Sequence, residues 1–260
     1  MRPAVVSAPE DNDNAPLELR TIDPAYLHFP DLGCSHRPCV DGLASNVRVE
    51  GGTVTNFSFG IFLSALNSRV SGVTVTDNCG YGIIALARDG VIDTSVVTRN
   101  EVGGIAVAEG FLGPVTNFTL HSNHVSGNDD FGIYVMSDGN TIRSNVVSDN
   151  HQTGIRVAGR RNIVRSNVTI GNSDGISLLD SSRRTTVTDN KANGNANAGI
   201  VLAVGSGLNA VIANRARGNG IVDLSDGNAG CDANRWRRNI FAIDSVGGVS
   251  DDGPGAGCIQ

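Results

Sequence analysis

The chain has 260 residues, a mass of 27.0 kDa, a formal net charge of -6 and a pI near 5.3. An acidic balance argues against nucleic acid as the main partner, because phosphate binding calls for a basic surface, and no apolar run approaches membrane-spanning length. Glycine is abundant at 33 residues but follows no Gly-X-Y period, which excludes collagen, and Val and Ile are too frequent for a disordered chain.

The first stretch, MRPAVVSAPEDNDNAPLELR, lacks the apolar core of a signal peptide. The expectation is an intracellular protein, or a secreted one whose signal has been removed. Residues 1–41 carry six of the eight prolines and no repeat, so they are expected to form an N-terminal cap or a strap along the flank. The five cysteines are Cys34, Cys39, Cys79, Cys231 and Cys258, without CxxC or Cys/His metal spacing, so no structural zinc is expected. Cys34 with Cys39 would close a small loop and Cys231 with Cys258 would tie down the tail, leaving Cys79 over. Reduced, buried cysteines are the alternative.

From residue 42 to 225 a repeat takes over. Gly-Ile followed by alternating apolar residues recurs at Gly60, Gly82, Gly104, Gly132, Gly154, Gly175, Gly199 and Gly220, in steps of 22, 22, 28, 22, 21, 24 and 21 residues. An asparagine precedes each pair from the second onward: Asn78, Asn100, Asn128, Asn150, Asn172, Asn195 and Asn219. A second short strand with its own Asn lies between them, as in RSN at 143–145 and 165–167. A coil this short cannot bury its apolar side chains alone. Stacking coils at about 4.8 Å gives each strand a parallel neighbour and fills a core with Ile, Val and Leu. Asparagine tolerates left-handed backbone at the corners, and its amide can bond the next Asn. Glycine serves where the turn needs positive φ or lacks space.

The units VVSDNHQTGIRV and VTIGNSDGISL resemble the right-handed parallel β-helix repeats of the pectate-lyase-like superfamily, across roughly residues 42–225. The resemblance implies an all-β, single-domain right-handed parallel β-helix of about eight coils of about 22 residues, capped at both ends. It also implies a set of functions: polysaccharide lyases, glycoside hydrolases, uronan epimerases, sugar-binding modules and phage adhesins. The pectate-lyase arginine and WiDH-type signatures and the DPHD-type motif of alginate epimerases are absent from this sequence.

Alternation then separates core from surface. In the Gly-Ile strand the outward row is Phe62, Ile84, Ala106, Tyr134, Arg156, Ser177 and Val201, and the next is Ser64, Leu86, Ala108, Met136, Ala158, Leu179 and Ala203. That face is too apolar for a solvated sheet. The chain itself, a second copy forming a homodimer, or an apolar ligand would have to cover it. In the second strand the outward row is Ser71, Asp93, His121, Arg143, Arg165 and Thr188, with His124 in a neighbouring row beside Val96 and Val146. Arg143 and Arg165 can clamp a carboxylate, and Asp93 can hold the His121 tautomer for acid or base work. A solvated ladder of weak ion pairs is the plain alternative.

The coil before Gly132 is six residues longer than the norm, with the excess in AEGFLGPVTN at 108–117, just ahead of His121. Long excursions from a regular scaffold often shape a site. Asp129 and Asp130 fall in the variable corner that also holds Glu101 and His151; paired carboxylates there could do glycosidic acid/base work or hold calcium, but they read as a polar turn. Asp174 and Asp180 give weak support to a calcium site. No other cofactor is expected. The tail from 226 to 260 holds the only Trp, and Trp236 and Phe241 are natural lids for the last core layer.

These readings lead to a carbohydrate-active protein, a lyase or epimerase on a uronic-acid polymer. His121, Arg143, Tyr134 and Asp93 would be catalytic, and Arg165, Arg156, His124, Phe62, Ile84 and Met136 would bind substrate. The alternatives are an isomerase or cyclase of a small apolar metabolite on the Gly-Ile face, and a non-catalytic binding or structural solenoid. The expected partner is an acidic saccharide or a small apolar ligand, with no nucleic acid and no membrane.

Overall fold

The computed structural model describes residues 18–20, 40–42, 46–64, 66–86, 88–108, 116–251 and 258–259. Most of the expected N-terminal cap, Cys34, Cys39 and the core of the 108–117 excursion lie outside the described residues. The rest is an all-β solenoid of about nine turns whose strands form three parallel sheets of 10, 7 and 11 strands. One coil shows the plan: Thr119–His121 in the first sheet, His124–Ser126 in the second, Phe131–Val135 in the third. Each strand pairs with its equivalents one coil before and after. The final strand, Val249–Asp251, instead folds back antiparallel on Asp244–Val246.

The core is one continuous column. Ile61, Ile83, Ile105, Ile133, Ile155, Ile176 and Ile200 stack in register, each fully buried. The glycine before each Ile is needed for space rather than for positive φ. A Cβ on Gly104 would lie 2.5 Å from the Gly132 oxygen, and one on Gly132 2.7 Å from the Gly154 oxygen. Coils therefore approach closely at this position, and only glycine fits.

The asparagines ahead of the Gly-Ile pairs do not supply the left-handed backbone. That conformation belongs to the residue before each of them, as at Asp77 (φ 56°), Arg99 (φ 52°) and Asp149 (φ 55°), while the Asn side chain turns inward. There it forms a directional ladder. Asn78 Nδ2 donates to Asn100 Oδ1 at 2.8 Å, Asn100 to Asn128 at 2.9 Å, Asn128 to Asn150 at 2.8 Å and Asn150 to Asn172 at 2.9 Å. Each acceptor oxygen also takes the backbone N–H of the preceding Asn, so the corner leaves few buried donors unmet. A second ladder, Asn123, Asn145, Asn167, Asn190, Asn214 and Asn239, runs along the corner between the first and second sheets.

The eighth Gly-Ile pair is not a repeat of the other seven. Ile221 is 68% exposed, and the strand is Val222–Asp226, with Leu224 opposite Ile200. Asp223 takes the glycine's place. Its Oδ1 accepts the backbone N–H and the Nδ2 of Asn219, so the ladder ends on a carboxylate that needs no further acceptor. Trp236 and Phe241 are buried against the last core layer, and Trp236 Nε1 donates to Asp226 Oδ2 at 2.8 Å.

Cys231 and Cys258 form a disulfide across 27 residues, which holds Ile259 in the core. Cys79 is disulfide-bonded as well, which corrects the expectation that it is left over. Closing a loop of this length restricts the unfolded chain by about 3.5 kcal/mol. Cys258→Ser is expected to lower unfolding free energy by about that amount, with the native circular dichroism retained. Denaturant titration of the variant checks this.

Candidate functional site on the third sheet

The expected outward rows stand in the expected register. Phe62, Ile84, Ala106, Tyr134, Arg156, Ser177 and Val201 face one another across successive third-sheet strands. Asp93, His121, Arg143 and Arg165 do the same on the first sheet, and His124 lies between Val96 and Val146 on the second. The ten candidate residues therefore occupy three sheets. His121, Asp93, Arg143 and Arg165 share one face; Tyr134, Arg156, Phe62, Ile84 and Met136 share another; His124 is exposed on the third and apart from both.

On the first sheet, Asp93 is engaged elsewhere. Its carboxylate takes two bonds from the Arg69 guanidinium, at 3.1 and 3.0 Å, and one from Ser71 Oγ at 3.2 Å. His121 Nδ1 pairs instead with Ser122 Oγ at 3.3 Å, so Asp93 does not set the tautomer. Arg69 sits two residues back on the adjacent coil, a diagonal contact that a list of straight-across neighbours leaves out. Burial, then the Arg143 guanidinium, push the His121 imidazole below its ordinary value; Asp93 opposes this and Arg69 adds to it. His121 is neutral at neutral pH.

The third sheet carries the larger construction. Phe59 stacks on Tyr81 at 6.4 Å and 12° and meets Phe62 edge-on at 6.4 Å. Tyr81 reaches Phe131 at 5.7 Å, Phe131 meets Tyr134 at 4.8 Å, and the Arg156 guanidinium lies 5.0 Å over the Tyr134 ring. Tyr81 and Phe131 belong to coils two apart. They meet because Gly103 stands between them, where a Cβ would come within 2.8 Å of Phe131. The same coil places only small residues on this stretch of the face, Gly103 and Ala106, and both are buried between the larger side chains of the neighbouring coils.

Asp130 completes this face. Burial raises its carboxyl above the ordinary 3.8, against the pull of Arg156 and His151. Its Oδ1 is buried with no hydrogen-bond partner among the described residues. Burial, Asp130 and Tyr134 together raise the Tyr81 phenol. Asp130 was read from sequence as a polar turn, and neither Tyr81 nor Phe131 stood out. The signal was present as an aromatic three residues after the corner Asn in two coils, NCGY and NDDF, with glycine in the coil between.

Beyond Tyr134, Met136 borders a shallow cavity of about 480 Å³ shared with Ala158, Arg160 and Arg183. Burial also raises Asp174, on the strand after Thr153. Asp180 instead accepts the Ser181 backbone N–H. Among the described residues, no three His, Cys, Asp or Glu side chains gather as a metal site.

This is a right-handed parallel β-helix with an aromatic and acidic face on one sheet. Residues 59–216 match the family described as right handed beta helix region, and the chain belongs to that family. The periplasmic alginate epimerase AlgG is similar in fold, with a TM-score of 0.66 and 18% identity over 77% of this chain and 56% of that one. The Azotobacter vinelandii mannuronan C-5 epimerase AlgE4 A-module gives 0.55 and 15% over 80% and 61%. Pectate lyase Pel9A gives 0.60 and 13% over 82% and 65%. The chain thus spans little more than half the length of AlgG. No curated protein matches the sequence.

Proposed function

We propose that the third-sheet face binds an acidic saccharide and moves the proton next to a uronate carboxylate, as a lyase or epimerase. One observation carries this reading: a carboxyl held above its ordinary range stands with a phenol and a guanidinium at the end of an aromatic stripe. Sugar rings lay their C–H faces on the half-exposed Phe59 and Tyr81, with the buried Phe131 backing Tyr81. Arg156 neutralises the uronate and acidifies its C5 proton. Asp130, a stronger base than an ordinary carboxylate, takes that proton. Tyr134 returns one to the opposite face of C5 for epimerisation, or to the departing glycosidic oxygen for elimination. The fold neighbours named as alginate epimerases and a pectate lyase support the substrate class.

The half-exposed apolar residues Phe62 and Ile84 on this face favour a second reading, an isomerase or cyclase of a small apolar metabolite lying against them. Polymannuronate, polyguluronate and polygalacturonate separate the two. Elimination is followed as ultraviolet absorbance of unsaturated ends, and epimerisation as solvent deuterium entering C5. Arg156→Gln and Tyr134→Phe are each expected to lose about 100-fold or more in turnover, with His121→Ala and Arg143→Ala close to wild type. Loss of turnover in His121→Ala with Arg156→Gln intact places the chemistry on the first sheet instead.

A further inference from the structure

We propose that the corner between the third and first sheets, at Arg160, Arg161, Arg183 and Arg184, is a binding site for tetrahedral oxyanions, the sulfate or phosphate groups of a ligand. Arg160 and Arg183 also border the Met136 cavity, but none of the four has a role in the proposed proton transfer, so the two readings are tested separately.

The backbone of this corner explains how four arginines converge. Two residues before the first-sheet strand, successive coils place a left-handed residue: Asn67 (φ 55°), Asp89 (φ 61°), Asn117 (φ 60°) and Gly139 (φ 70°) in turn, all types that tolerate that conformation; the Arg160 coil adds Gly159 (φ 119°). The next two coils use Arg161 (φ 57°) and Arg184 (φ 55°) instead. A left-handed residue interrupts the in-and-out alternation of an extended chain. Arg160 and Arg161 therefore turn to the same side, as do Arg183 and Arg184 one coil on. All four line one cavity of about 220 Å³, with Asp138 and Leu208.

The four exposed arginines bring like charges together, a repulsion that an anion relieves. Arg160 and Arg183 are bridged in parallel register on adjacent coils, and like charges directly opposite each other repel. Four guanidinium groups face one carboxylate, Asp138, whose Oδ1 is already taken by the Arg160 backbone N–H at 2.7 Å. Among the described residues none of the four forms an ion pair. The Arg183 guanidinium reaches the Gly205 oxygen at 3.2 Å. A carboxylate offers two coplanar oxygens to one fork and a single charge. Sulfate and phosphate offer oxygens in several directions and up to two charges, which suits forks arriving from two coils.

The test uses the whole chain, with melting temperature followed against sodium sulfate or sodium phosphate at constant ionic strength. Sodium acetate and sodium chloride are the references. Both tetrahedral ions are expected to raise the melting temperature saturably, and the references are not. The Arg160→Gln/Arg183→Gln double variant is expected to weaken half-saturation by about tenfold or more. Without added ion it is expected to melt no lower than wild type, because a repulsion has been removed. Arg184→Gln is the second variant, with the same direction of change. A sulfated disaccharide and a sugar phosphate then distinguish the source: tighter binding of either than of its inorganic ion names the natural carrier and supports the site. No saturable response to either ion, an equal response to acetate, or an unchanged response in both variants would overturn it.

Discussion

Asp130→Asn is expected to abolish turnover, by about 100-fold or more, while leaving the protein as stable as wild type or more so. The substitution is nearly isosteric and removes the proton-accepting carboxylate from the aromatic face. Its effect on stability follows from the raised carboxyl. A group whose proton affinity is higher folded than unfolded stabilises the fold fully below its unfolded value, near 3.8, and that contribution is lost as pH rises through the folded value. At neutral pH the ionised Asp130 therefore opposes folding, with Arg156 and His151 relieving part of the cost. Asparagine removes the opposition. The variant's melting temperature is expected to match or exceed wild type at pH 7, with the difference closing below the ordinary carboxylate range. Turnover within twofold of wild type would remove Asp130 from the chemistry. A lower melting temperature at pH 7 would show that its carboxylate is a structural partner.

The second large effect is expected in the interior. Asn150→Ala should cost about 4 kcal/mol, within a range of about 3–6 kcal/mol, because each buried polar group left unmet costs about 1–3 kcal/mol. Four hydrogen bonds are lost together. Asn128 donates its backbone N–H and its Nδ2 to Asn150 Oδ1, at 3.1 and 2.8 Å, and Asn150 Nδ2 donates to the Val125 oxygen at 3.3 Å and to Asn172 Oδ1 at 2.9 Å; Asn128 Nδ2 keeps the Val97 oxygen and Asn172 Oδ1 keeps the residue 150 backbone N–H. The site is 2% exposed, so water does not replace them without opening the corner. Thr98→Ala is the control. Its hydroxyl pairs with Thr76 at a half-exposed position, and the change is expected to stay within about 0.5 kcal/mol. Urea titration of both variants gives the comparison. A loss of less than 1 kcal/mol in Asn150→Ala would mean that the ladder is ornamental.

The period and the register were legible because each coil repeats the same burial problem. An Ile that must face inward, a glycine that must make room and an asparagine that must meet its equivalent recur together, and any one of them aligns the others. The outward rows followed from alternation, and the Asp93, His121, Arg143 row stands as the sequence placed it. The contacts within and between rows were not legible. Arg69 takes Asp93 along a diagonal, and Tyr81 reaches Phe131 over a glycine two coils wide. Asp130 looked like a turn residue because its sequence neighbourhood is one; burial of the carboxyl among residues of other coils is a property of the stack. The arginine corner had a visible trace, Arg-Arg at 160 and again at 183, one coil apart. Its convergence depends on a left-handed residue that alternation does not anticipate.

The ladder that ends on Asp223 gives the molecule a grammar of length. Every amide hands one hydrogen forward to the next asparagine and the other back to a carbonyl of the coil before, so each asparagine is addressed to its neighbours in the same way, whichever coil it occupies. An interior coil can be duplicated or deleted as a whole unit, and the sentence still parses, provided the final word remains a carboxylate. Partial insertions have nowhere to go except outward, as loops at a corner. Evolution and protein engineers alike can lengthen the sheet faces in whole-coil steps, and the stop signal travels with the tail.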